Sequence, residues 1–226
     1  MVDQVWISEV MSNGDLGNKV GLRQKWFHEP WEAPYVNHRV PDKSQRVFEA
    51  IRKHYDGHTA KQEDLPEASA VYSASDFRRV KDVFFLGAFL AVKGKIAEVL
   101  SKFDFGPGGG LVPHMIYEAD EKTPLAGPFY ILNFGPMKDC FLPKESTGLI
   151  ESVVNTSSGQ VRWFVDSTQD GDVAVSPAAL GGSDLWMCPG VGGRIFMSGR
   201  LVNALKAALG DSMFVELRLH RCRVVV

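Results

Sequence analysis

The sequence predicts an α+β fold, with mixed or antiparallel sheets and a strand-helix-strand unit used twice. Two stretches, 89–103 and 194–208, share one plan: an apolar run, a glycine, a basic residue and then apolar residues at helical spacing. Gly94 aligns with Gly199 at an offset of 105 residues, and the neighbouring positions keep that offset. A period of this length is not typical of stacked solenoid repeats. Strands also come in blocks between helices, which is typical of α+β proteins.

The N-terminal part begins with a predicted strand over 4–11, which ends at a turn-rich polar cluster. Residues 24–42 are rich in aromatic residues and prolines, and the prolines exclude a regular helix through this stretch. A helix is predicted from an N-cap at Asp42, because Gln45 stands at the reciprocal position of a capping box. Asp56 and Gly57 are expected to end it.

The first copy of the repeat follows a short element and an apolar run within 71–92. Its helix is predicted over 93–103, and a glycine-rich run at 106–110 then leads into a strand over 111–117. Another strand is predicted over 129–133, where the apolar run is typical of a strand buried on both faces.

The C-terminal third is predicted to hold a hairpin and the second copy of the repeat. In the hairpin, residues 161–165 pair with 173–175 around an acidic turn. The second repeat helix is expected to run from a Ser198 cap to Leu209, followed by a strand over 213–219.

The domain organisation follows from these elements. We expect an irregular, aromatic-rich N-terminal region over 1–80 and an α+β domain over 81–226, or one continuous domain over 1–226. A chain of 226 residues is long enough to bury a sizeable core in either arrangement.

Composition and charge exclude several classes of partner. The 25 basic and 27 acidic residues leave a net charge of −2, so no overall positive field attracts nucleic acid or an anionic membrane. No apolar run approaches the roughly 20 residues of a membrane helix, and the first residues lack the pattern of a signal peptide. Three widely spaced cysteines predict reduced thiols and a cytoplasmic location. The oligomeric state is left open.

The sequence contains no catalytic constellation, no metal-site pattern and no cofactor motif. His54 and His58 lie four residues apart, but the expected helix end between them favours exposed histidines over a metal pair. Cys140 could act as a nucleophile only if a histidine met it in space. One alternative is therefore an enzyme with a dispersed site around His28, His38 and Cys140.

Partner-binding candidates come from two irregular stretches. Aromatic residues beside prolines can anchor an interface, although large aromatic residues also commonly pack in the core. The acidic turn of the predicted hairpin could meet a basic partner, with a solvated turn as the alternative, and its spacing does not fit a calcium loop. The six candidates are Trp26, Trp31, Tyr35, Asp166, Asp170 and Asp172.

The order of motifs over residues 80–220 resembles the bacterial polymorphic-toxin immunity proteins of immunity family eleven. The residues that carry the resemblance are the run from Tyr130 to Asn133, the pair Leu185-Trp186 and the helix entry from Phe196 to Ser198. The first repeat departs from the pattern, because a serine is usual before its helix and Lys93 stands there.

The resemblance implies a non-enzymatic cytoplasmic protein of a toxin-producing bacterium that binds and blocks its cognate toxin. It carries over no functional residue, since each member of such a family matches its own toxin. Two alternatives stay open: the enzyme with a dispersed site, and a scaffold or chaperone-like partner of a secreted effector, which would bind without protecting.

Overall fold

A computed structural model describes residues 4–16, 21–28, 30–31, 41–152, 161–165 and 168–226. The α-helices in chain order are α1 Pro41–Tyr55, α2 Ala74–Phe77, α3 Gly94–Leu100, α4 Gly199–Leu209 and α5 Ser212–Glu216. The strands are β1 Val5–Ser8, β2 Leu22–Lys25, β3 Ala68–Val71, β4 Val83–Leu86, β5 Phe89–Lys93, β6 Gly110–Tyr117, β7 Phe129–Asn133, β8 Leu149–Ser152, β9 Arg162–Val165, β10 Ala174–Val175, β11 Leu185–Met187, β12 Ile195–Ser198, β13 Leu219–Arg221 and β14 Arg223–Val224.

Two large sheets organise these elements. The six-stranded sheet has the order β2-β3-β6-β7-β5-β4 and is mixed, because β3 and β6 run parallel while every other pair is antiparallel. The four-stranded sheet, β11-β12-β1-β13, is antiparallel throughout. Two further strand pairs, β8-β9 and β10-β14, flank them. The predicted α+β fold with mixed and antiparallel sheets is therefore confirmed.

The main core lies between the two large sheets and contains α3 and α4. Alternation along each strand shows this arrangement, because successive side chains point to opposite faces of a sheet. In β5, Leu90 and Val92 join this central core, whereas Phe89 and Ala91 pack with α1 on the far face. In β12, Phe196 faces a third core, which also contains Cys140 and Cys188. The layered packing buries both faces of each sheet near its centre.

The repeat predicted from the sequence begins one strand earlier than expected. Each copy is a β-hairpin followed by a helix, β4-β5-α3 in the first and β11-β12-α4 in the second. The aligned apolar positions of the two helices are all buried in the central core, where α3 packs directly against α4: Ile96, Leu100, Leu201 and Leu205. The duplication therefore places two like units face to face.

An aspartate precedes the hairpin in both copies and closes it in the same way. The Asp82 carbonyl accepts from the Lys93 N–H at 2.8 Å, and the Asp184 carbonyl accepts from the Ser198 N–H at 2.8 Å. In the first copy the Asp82 carboxylate also caps the helix, because it accepts from the Lys95 N–H at 3.0 Å. Asp82 therefore caps the helix of the first copy, which lacks a serine at the position of Ser198.

Gly94 is required for this cap. Its φ of 52° lies in the left-handed region, and a Cβ there would stand 2.5 Å from a carboxylate oxygen of Asp82.

In the second copy the Asp184 carboxylate is buried, with 1% of its surface exposed, and joins three parts of the chain. It accepts from the Ser198 hydroxyl at 2.6 Å and from the Arg200 guanidinium at 2.5 and 2.6 Å. It also accepts from the Asp104 N–H at 3.1 Å, in the loop after α3. Because Ser198 in turn caps α4 through the Leu201 N–H, one carboxylate fixes the start of α4 and the end of the first copy.

The predicted strand over 213–219 is wrong, because this segment contains α5. Met213 and Leu217 are buried while Val215 between them is 79% exposed. A strand would have placed these three side chains on one face, whereas a helix separates Val215 from the other two.

The predicted hairpin over 161–175 is also wrong. Strand β9 pairs instead with β8, and β10 pairs in parallel with β14 near the C-terminus. The acidic turn between β9 and β10 bonds to distant parts of the chain, since Asp170 pairs with Arg221 and Asp172 with Thr147. These long-range contacts override the local hairpin signal.

The N-terminal region belongs to both large sheets. Strand β1 lies between β12 and β13, and β2 and β3 extend the six-stranded sheet beside β6. Sheet pairing thus joins the regions 1–80 and 81–226. Among the described residues, none of the helices combines the length and the apolar character that a membrane span requires.

We predict that Asp184→Asn lowers the free energy of unfolding by about 3 kcal/mol, because the buried amide nitrogen that replaces one carboxylate oxygen can no longer accept from the surrounding donors. Urea denaturation of the wild type and the variant measures the difference. The matched control is Asp211→Asn, which changes an exposed carboxylate paired with Lys206 and should cost about 0.5 kcal/mol or less. Equal effects at the two positions would contradict the role given to Asp184.

Candidate functional site

Of the three aromatic candidates, the structure places one at the surface and one in the core. Trp26 is 1% exposed and packs against Phe27 and Phe89, so it is a core residue and offers no contact surface. Trp31 is partly exposed and meets the ring of Tyr117 edge-on, with centroids 5.8 Å apart. Tyr35 lies outside the described residues.

The acidic candidates are engaged within the chain. Asp170 accepts from the backbone N–H and the guanidinium of Arg221, each at 2.8 Å, and these bonds hold its pKa below the usual range despite the opposing effect of desolvation. Asp172 accepts from the Gln169 N–H at 2.8 Å. Asp172 thus stabilises the turn, and Asp170 ties it to β13. Asp166 lies outside the described residues.

Trp31 belongs to a contiguous surface, here called the Trp31 surface, on the face of the six-stranded sheet that also carries the central core, at the end of the sheet formed by β2, β3 and β6. Met115 and Tyr72 are its most exposed members, with 48% and 37% of their surface accessible. The surface consists of Arg23, Trp31, Tyr72, Met115 and Tyr117. Arginine, methionine and aromatic residues are the types enriched at protein interfaces, and an exposed apolar patch commonly marks a binding site.

Strand register brings these side chains together. Arg23, Ala70 and Tyr117 form one row across β2, β3 and β6, and Ala68 pairs with Met115 in the next row. Strand β3 contributes only Ala68 and Ala70 to this face, and both are buried. The Arg23 guanidinium lies 5.2 Å from the centre of the Tyr72 ring.

An acidic loop, residues 118–121, lies at the edge of the Trp31 surface. Arg23 links the two, because it forms an ion pair with Glu121 and donates to the Ala119 carbonyl at 2.9 Å. Asp120 is exposed and folds the loop by accepting from the Thr123 hydroxyl at 2.6 Å and from the Lys122 and Thr123 N–H groups. These bonds, led by those from Thr123, lower the pKa of Asp120 to about 2.

The Trp31 surface and the acidic loop were missed by the sequence reasoning, apart from Trp31 itself. Two signals were present. Pro113, Met115 and Tyr117 alternate with buried residues along β6, which is the pattern of a strand with one open face. The acidic run at 118–121 follows that strand directly.

The residues of the enzyme alternative do not form one site in the described part of the chain. The His28 side chain is 94% exposed and lies 3.2 Å from Glu67, beside the core that packs against α1. Cys140 is 2% exposed and lies in the core beside the four-stranded sheet, where its neighbour is another thiol, Cys188. His38 lies outside the described residues.

Two other histidines are buried, and one of them corrects an expectation. His54 is fully buried between the rings of Phe89 and Phe134, whereas an exposed position at a helix end was expected. The Leu90 N–H donates to its Nε2 at 3.0 Å. His114 lies 2.9 Å from the Ser69 hydroxyl, a pair that resembles a nucleophile and its base. Both members are buried, so the pair is closed to substrate in this conformation.

A cleft of about 530 Å³ opens at the C-terminal end of α3. Phe103 and Tyr130 contribute apolar walls, and Glu98 and Asp104 contribute carboxylates. This mixture suits a basic or amphipathic group. Within the described ranges, no three His, Cys, Asp or Glu side chains converge in the way a metal ion requires.

Comparison with known proteins adds no assignment. No protein-family profile matches the chain, and no curated protein is significantly similar to it.

We predict that the two buried histidines make the protein less stable as the pH falls. Burial lowers the pKa of both His54 and His114 to about 4, whereas each titrates near 6.5 in the unfolded chain. Between these values the unfolded state binds more protons, so the free energy of unfolding should fall with decreasing pH. The expected slope is about 1 kcal/mol per pH unit for each histidine.

Urea denaturation between about pH 6 and pH 5 measures this slope, above the range in which ordinary carboxylates titrate. Nitrogen-15 NMR of the imidazoles provides the direct check: both rings should remain neutral at about pH 5 in the folded protein and become charged in urea. Charged rings in the folded protein at that pH would contradict the prediction.

Proposed function

We propose that this protein is an immunity protein, which binds a cognate bacterial toxin and neutralises it. The observation that carries the proposal is the Trp31 surface, an exposed cluster of arginine, methionine and aromatic side chains on a sheet face. Such clusters supply most of the binding energy in many protein interfaces. The resemblance of residues 80–220 to immunity family eleven supports the same function.

The surface is suited to binding because it is held in place before any partner arrives. Arg23 stands on β2, Met115 and Tyr117 stand on β6, Tyr72 directly follows β3, and Trp31 is packed against Tyr117. Little conformational entropy is then lost on association, which favours affinity. Arg23 is fixed between Tyr72 and Glu121 and can present its guanidinium without further ordering.

The acidic loop indicates the charge of the partner. Glu118, Asp120 and Glu121 stand together, and Asp120 remains ionised to about pH 2 because of its hydrogen bonds. A negative rim beside an apolar centre matches a toxin face with basic residues around an apolar patch. We therefore assign the loop the role of guiding association and the apolar centre that of holding the complex.

We predict that Met115→Lys weakens binding of the toxin domain encoded next to this protein by about 100-fold and abolishes protection in co-expressing cells. The change removes apolar contact and adds a charge that repels a basic partner. The matched control is Val215→Lys on α5, which also replaces an exposed apolar residue with lysine, because 79% of the Val215 surface is accessible. Both variants should melt within a few degrees of the wild type. Calorimetry and a survival assay provide the readouts.

Three outcomes separate the possibilities. If wild-type protein binds no toxin and does not protect, the proposed function is wrong. Binding without protection supports the scaffold alternative. Full protection by Met115→Lys leaves immunity in place and places the contact elsewhere.

A second variant, Asp120→Asn, tests the role of the acidic loop. It keeps the turn but removes its charge, so the association rate should fall severalfold at low salt and recover the wild-type value at high salt.

A further inference from the structure

We propose that Cys140 and Cys188 are an oxidation site, at which hydrogen peroxide converts two buried thiols into a disulfide. The two Sγ atoms lie 3.4 Å apart, and each residue is 2% exposed. A disulfide needs an S–S distance of about 2.0 Å, so the two side chains must rotate to close the remaining gap.

The backbone around the thiols already pairs the two segments. The Lys138 N–H donates to the Met187 carbonyl at 3.0 Å, and the Ser176 N–H donates to the Cys140 carbonyl at 2.8 Å. Cys188 directly follows β11, which is fixed in the four-stranded sheet by β12. Strand β11 and the bond from Lys138 to Met187 thus hold Cys188 beside the segment that carries Cys140.

The surroundings assign different roles to the two thiols. The hydrogen bond between the two thiols lowers the pKa of Cys140, and Trp186 and Lys138 act in the same direction against the effect of burial. Burial raises the pKa of Cys188. Lys138 is held near them, because its ammonium lies 3.5 Å from the centre of the Trp186 ring and donates to the Gly181 and Ser183 carbonyls. We write the reaction with Cys140, the thiol that Lys138 and Trp186 favour as a thiolate, as the nucleophile, and with Cys188 as the thiol that completes the disulfide.

The reaction balances with peroxide as the oxidant. The Cys140 thiolate attacks one peroxide oxygen, the O–O bond breaks, and the departing hydroxide takes up the thiol proton to form water. The Cys188 sulfur then attacks the resulting sulfenic acid. The S–O bond breaks, and the hydroxyl group leaves with the Cys188 proton as a second water. Two thiols are oxidised by two electrons, and one peroxide is reduced to two waters.

The disulfide would close the segment between the two cysteines, which are 48 positions apart in the chain. This segment contains the β8-β9 pair, where Ile150 and Phe164 face each other with 53% and 36% of their surface exposed. Oxidation would tie both ends of the segment to the four-stranded sheet.

The test is treatment of the reduced protein with peroxide, followed by mass spectrometry and a non-reducing peptide map. We expect the loss of two hydrogens, one peptide pair that links Cys140 to Cys188, and a rise in melting temperature of about 10 °C that dithiothreitol reverses. Cys222→Ser should keep the link, and Cys188→Ser should lose it. The map of wild-type protein answers the question even if a variant fails to fold. A link through Cys222, or three free thiols after treatment, would overturn the proposal.

Discussion

The buried carboxylate of Asp184 is the interaction on which the architecture depends. A charge removed from water must be fully paired, and here the Ser198 hydroxyl, the Arg200 guanidinium and the Asp104 N–H supply the partners. These groups come from the start of α4 and from the loop that ends the first repeat. The carboxylate therefore couples the two hairpin-helix units, which meet through α3 and α4 in the central core.

One face of the six-stranded sheet has two different regions. Over β5 and β7 the face is covered by the central core, whereas over β2, β3 and β6 it carries the Trp31 surface. The duplicated units thus act as the scaffold, and the neighbouring strands present the side chains to which we assign recognition. A rigid support of this kind favours binding, because the side chains are ordered before a partner arrives.

The fold class and most elements could be predicted from the sequence, because apolar periodicity and helix caps are local signals. Ser198 and the spacing of Leu201 and Leu205 were enough to place α4. Pairings set by distant residues could not be predicted. Arg221 holds the acidic turn away from a hairpin, and β14 takes the place expected of β9 beside β10.

The candidate site was predictable only in part, for the same reason. Trp26 and Trp31 are equally aromatic and lie close in sequence, yet one is buried and the other meets Tyr117 at the surface. Sequence alone does not separate these outcomes, since the difference depends on which strand lies beneath each ring. The importance of Asp184 was hidden as well, because its partners are spread over the chain.

Hydrogen–deuterium exchange of the protein alone and mixed with the toxin domain that we propose as its partner tests the central claim most directly. If the Trp31 surface is the contact, binding should slow exchange in the acidic loop and at the exposed edge strand β2, while α5 on the other side of the central core stays unchanged. Slower exchange confined to α5, or no complex at all, would contradict the account.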